Sequence, residues 1–152
     1  MPRNVAVNGL ALLGGVEVAL ALLGIVYSFV LFMPRDVRQG GEFHQIENTL
    51  YTGAWMVFGT IVLAFAVHAA AGAIALYMAK EARTPTNASS FRALGWLGIA
   101  LQVVMGGVAL LSSWLFLCTG LPMVFVSFGI AGLTVWHLRN PPDWDAAEAI
   151  WE

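Results

Sequence analysis

Charge is what this sequence has least of. Only 11% of its 152 residues are Asp, Glu, Lys or Arg, whereas a water-soluble domain carries about 25%. The deficit runs along the whole chain, so a separate soluble domain has no place in it. With 59% hydrophobic residues and a mean hydropathy of +0.78, most of the folded surface is expected to face hydrocarbon. The net charge of −2 and the lack of any basic stretch argue against nucleic acid as a partner. Cysteine is nearly absent. The single Cys118 excludes an internal disulfide, a four-thiolate metal site and a CxxC redox pair, and with the last the four-helix thiol oxidoreductases. The sequence also contains no Walker loop, no Ser–His–Asp set and no zinc signature.

What it has in quantity is long apolar runs. Hydropathy predicts four spans, Gly9–Met33, Leu50–Ala79, Leu94–Leu117 and Leu121–Leu138, each about the length needed to cross a bilayer as a helix. Strands and loops are excluded at that depth, because unpaired backbone groups in lipid cost several kcal/mol each. The expected fold is all-α, a four-helix transmembrane bundle, with residues 1–140 as one polytopic membrane domain and 141–152 as a tail. The breaks between spans are chemically distinct. Met33-Pro34-Arg35-Asp36 ends the first, since proline cannot extend a helix and charges leave the lipid. The second break, Glu81 to Ser90, combines Pro85 with several capping residues before Phe91. The third, Cys118 to Pro122, is a tight hairpin, and Asn140-Pro141-Pro142 stops the last helix. The first run contains Glu17 and is followed by no small-residue cleavage site, so it reads as a retained helix rather than a signal peptide.

Lysine and arginine set the expected orientation. Arg3, Lys80, Arg83, Arg92 and Arg139 fall on one side, and only Arg35 and Arg38 on the other. Both termini are therefore expected in the cytoplasm of a prokaryotic plasma (inner) membrane, with the loop carrying His44 outside. The aromatic residues give the same frame, with Tyr51, Trp55 and Trp114 at the outer interface and Tyr77, Trp96 and Trp136 at the inner one. The tail, DWDAAEAIWE, puts Trp144, Ala147 and Trp151 on one helical face with acids around the rest. A tail meant for the anionic cytoplasmic leaflet would be basic. This short acidic amphipathic segment suits docking on a protein partner through Trp144 and Trp151, or tryptophans dipping into headgroups.

Converting positions into depth isolates four polar residues. His68 lies about 12 positions from Lys80, Gln102 about 10 from Arg92, Ser127 about 12 from Arg139 and Glu17 about 9 from Asn8, roughly 14–18 Å into the bilayer in each case. One polar layer near the midplane is expected, with one residue from each helix. Small residues at three-four spacing surround each of them: Gly14, Ala21, Gly24 and Ser28 around Glu17; Thr60, Ala64, Ala71, Ala75 and Ala79 around His68; Gly95, Gly98, Met105, Ala109 and Ser113 around Gln102; Ala131 and Thr134 beyond Ser127. Such faces let helices approach closely, so the four polar side chains are expected to point inward. An ionised carboxylate at this depth must be paired or protonated, and His68 is the natural partner of Glu17. The pair reads as a proton-relay element, part of a cation or quinone-headgroup site, or an interhelical hydrogen bond only.

Other readings are less well supported by the residues. A b-type haem needs two axial ligands at one depth, and neither His44, outside, nor His137, at the inner surface, matches His68. Met105 is at a usable depth but sits at packing spacing. The stretch LQVVMGGVALL resembles a glycine-containing helix of haem A synthases. The histidine that this resemblance implies at the start of the next helix is absent, with Ser127 in that region, so no ligand carries over. No cofactor is assigned, and bound lipids are expected. His44, Glu42 and Glu47 form a candidate exterior metal group, with solvated surface as the alternative. The function expected is that of a small, non-catalytic integral-membrane subunit of a larger, energy-transducing or respiratory complex, with the bilayer and other membrane subunits, or further copies of itself, as partners. The alternatives are a small oligomeric transporter or channel using Glu17 and His68, and a haem- or quinone-handling redox protein.

Overall fold

A computed structural model of the chain describes residues 1–31, 44–115 and 121–144, with side chains outside the description at 31, 44–51 and 112–115. Four helices follow one another: α1 Arg3–Leu31, α2 His44–Arg83, α3 Ala88–Leu115 and α4 Leu121–Arg139. All four are long and apolar enough to cross a membrane. Helix α2, with 40 residues, is about 60 Å long. Its first turns, His44 to Thr49, were expected in a loop. They are helical because HQIENT contains no proline or glycine, and adding a turn to a helix already nucleated costs little. Helix α4 has 19 residues and is about 28 Å long, just enough for one crossing.

Local chemistry sets the helix ends near the termini. Helix α2 stops where Pro85 removes a donor, and the Thr84 N–H closes the last turn on the Lys80 carbonyl at 2.9 Å. The Glu81 carboxylate, 2% exposed, then accepts the Thr86 N–H at 2.8 Å, the Thr86 hydroxyl at 2.7 Å and the Asn87 N–H at 3.2 Å. Asn87 is the N-cap of α3: its Oδ1 accepts the Ser90 N–H at 2.9 Å and its carbonyl the Phe91 N–H at 3.0 Å. Helix α4 ends as Asn140 bonds the Trp136 carbonyl through both its backbone N–H and its Nδ2, with two prolines following.

The helices run alternately up and down. Arg3 donates to the Ala82 carbonyl at 2.9 Å and Arg83 to Asn8 Oδ1 at 2.8 Å, joining the start of α1 to the end of α2. Phe91 at the start of α3 meets Trp144 just past α4, ring edge to face at 5.5 Å. Both ends of the described chain therefore lie at one end of the bundle. Neighbours in sequence pack side by side, and α1 closes the ring on α4. The tightest seam is α1–α2: a Cβ added to Gly72 would stand 2.9 Å from the Gly14 carbonyl oxygen, so the two backbones touch there. The main apolar core fills the half of the bundle nearest the termini. It is built of Val7, Leu10, Ala75, Met78, Ala79, Ala82, Phe91, Val126 and Ile130.

Candidate functional site

The site is assembled by the inward faces of all four helices, just beyond that core. On α1, Gly14, Glu17, Ala21 and Ser28 are buried while Leu12, Val16, Leu22, Leu23 and Val26 are exposed. The small residues bring α2 close enough for a short carboxylate to reach it. On α2, His68, Ala71, Ala75 and Ala79 are buried in the same way, but Thr60, expected on this face, is exposed. Steps of four residues turn a helix about 40° past a full turn, so two steps back from His68 leave the seam. Phe58 takes the inward position instead, against Phe29 at 5.1 Å and Trp55 at 5.6 Å. Thr60 returns its hydroxyl to the Met56 carbonyl. On α3, Gly95, Gly98, Gln102, Met105 and Ala109 are buried, and on α4 Ser127, Ala131 and Thr134. The Ser113 side chain lies outside the description.

Glu17 is the hub of the layer. Its Oε1 is 2.8 Å from His68 Nδ1, and its Oε2 accepts from Gln102 Nε2 at 2.5 Å. Ser127 Oγ donates to Oε1 at 3.4 Å, the longest of the three contacts. Each other helix thus sends one side chain to a carboxylate on α1. Glu17, Gln102 and Ser127 are 0% exposed and His68 5%, so neither charge nor dipole meets solvent. Three donors stabilise the ionised form of a carboxylate, yet an unbalanced charge in hydrocarbon is costly. A carboxyl and an imidazole in direct contact are the two groups of this layer whose chemistry includes proton exchange.

One end of the Gln102 amide is left over. Its Oε1 is buried without a hydrogen-bond partner among the described residues. The same is true of His137 Nε2 and Trp144 Nε1. His137 was placed at the membrane surface by its position in sequence. It is 1% exposed, and its Nδ1 donates to the Leu133 carbonyl one turn back at 2.8 Å. The sequence carries a signal for it, since Ser127, Thr134 and His137 share the buried face of α4 at helical spacing. The Glu81 latch was missed for another reason: its partners lie in a loop whose path spacing does not predict.

The remaining candidates separate by location. Trp144 packs on the chain's own core and on Phe91, while Trp151 lies outside the described residues. Glu42 also lies outside them. His44 and Glu47 stand three apart on the first turns of α2, with side chains not described. Among the described residues no three His, Cys, Asp or Glu side chains gather as a metal group would need. The protein-family models contain no match to this chain, and comparisons with curated proteins and with solved structures return none either.

Proposed function

We propose that this chain is a small integral-membrane subunit of a larger membrane assembly, with both termini in the cytoplasm, and that its contribution there is a proton-binding carboxylate–imidazole pair, Glu17–His68, inside the bilayer. The observation that carries the reading is that a fully buried carboxylate takes hydrogen bonds from all three other helices. A bundle needing only cohesion could obtain it from small-residue packing without the cost of desolvating a carboxylate. A carboxylate within 2.8 Å of an imidazole is suited to accept and release protons. The subunit role is supported by four helices long and apolar enough to cross a membrane, by very little charge, and by exposed surfaces rich in Leu, Val and Phe.

Two measurements test it. Purification from native membranes in mild detergent should recover the chain at fixed stoichiometry with other membrane proteins, and a lone homo-oligomer would refute the subunit role. Proton exchange by the intact assembly should fall at least tenfold in Glu17→Gln, whose amide keeps the shape but cannot take up the proton. Full exchange in that variant would leave the pair a structural bond. A second reading, a self-sufficient oligomeric transporter or channel, draws on the same pair. It is favoured if the purified chain alone moves protons or cations across liposomes.

A further inference from the structure

The unpartnered end of Gln102 has a consequence for where a proton can sit. A primary amide offers a donor at one end and an acceptor at the other. Here Nε2 donates to Glu17 Oε2, and Oε1 is buried with nothing among the described residues bonded to it. Turning the amide over by half a turn about its last side-chain bond therefore breaks no hydrogen bond at the far end. It would place the carbonyl oxygen against Glu17 Oε2, ready to accept from a carboxylic acid. An amide anchored at both ends could not do this.

We propose that Gln102 is a positioning residue that turns over with the charge of Glu17, donating from Nε2 to the carboxylate and accepting at Oε1 from the acid. This rests on the proton-binding reading above. One proton from water is taken up on Oε2 and returned to water on release, and no other covalent bond changes. The proton is directed to Oε2 because His68 Nδ1 and Ser127 Oγ both occupy Oε1. His68 keeps its Nδ1–H in both states. Among the described residues, the polar side chains that meet the Glu17 carboxyl are His68 from α2, Gln102 from α3 and Ser127 from α4. His68 is the one other titratable side chain among them. The amide thus makes both charge states of Glu17 tolerable, where a fixed donor would favour the carboxylate alone.

The test is infrared difference spectroscopy of the full chain in phosphatidylcholine nanodiscs, stepped in pH, with glutamine labelled with carbon-13 at the side-chain carbonyl. On acidification a protonated-carboxyl band is expected that Glu17→Gln lacks, and with it a shift of a glutamine carbonyl band that Gln102→Met lacks. In Gln102→Met both states of Glu17 lose one bond, so its proton affinity should change less than tenfold. A fixed donor predicts a rise of tenfold or more, because the carboxylate alone loses a charge-assisted bond. A titrating carboxyl with an unmoved amide band would overturn the turnover and leave the proton-binding pair standing. Imidazole bands that titrate while no carboxyl band appears would move the proton to His68 and overturn it as well. A layer silent at every pH at which the chain stays folded would defeat both readings.

Discussion

The bundle buries two histidines to nearly the same degree and surrounds them differently. His68, 5% exposed, faces a carboxylate from another helix, whereas His137, 1% exposed, faces a backbone carbonyl of its own helix. A carboxyl group can exist with or without a proton, so on the proposed reading the partner of His68 is itself a site of proton exchange. A peptide carbonyl can only accept, which holds Nδ1–H in place and leaves Nε2 without a partner among the described residues. The carboxylate that His68 meets also takes Gln102 from α3 and Ser127 from α4, while the Nδ1 contact of His137 stays within α4. Burial alone therefore does not distinguish the two histidines; the partner does, a side chain of another helix in one case and a peptide group of the same helix in the other.

The sharpest way to break this comparison is Glu17→Leu. It leaves His68, Gln102 and Ser127 with no common acceptor, and should lower the unfolding free energy by about 2–4 kcal/mol, taking interhelical bonds in membranes at about 0.6–1.7 kcal/mol each together with the cost of stranded donors. Reversible unfolding in mixed micelles measures it, and an unchanged transition would mean that the layer contributes no cohesion. His68→Leu should cost less, about 1–3 kcal/mol, since Gln102 and Ser127 still reach the carboxylate. It should also alter the proton uptake of the layer, read from the carboxyl band. His137→Leu is the control for that variant. It removes one local bond and one unpartnered atom, so stability should shift by no more than about 1 kcal/mol with the carboxyl titration unchanged. If His68→Leu and His137→Leu behave alike, the distinction between the histidines collapses. The smallest effect is expected from Ser127→Ala: its contact with Glu17 is 3.4 Å long, and its removal should cost about 0.5 kcal/mol or less.

Much of this was legible in the sequence, and the residues say why. The polar layer could be found by counting from the charged ends of each run, because a membrane helix rises by a constant amount per residue and its ends are tied to the interfaces. Small residues at three-four spacing named the inward faces of α1, α3 and α4 because a close crossing admits nothing larger. Thr60 escaped that reasoning, since a helix stepped by fours rotates off its seam within two turns. His137 escaped it too: counting gives depth along the membrane normal but not whether a neighbouring helix covers the residue.

By itself the sequence determined that four apolar helices form and where Glu17, His68, Gln102 and Ser127 lie along them. Hydropathy and the helical repeat are local properties, readable one segment at a time. Only the tertiary structure decided that Glu17 receives all three partners, that one end of the Gln102 amide is left without one, and that α1 and α2 touch backbone to backbone at Gly14 and Gly72. Those outcomes depend on the rotation and separation of helices far apart in the chain. They are set by the packing of the whole bundle and not by any one stretch of it.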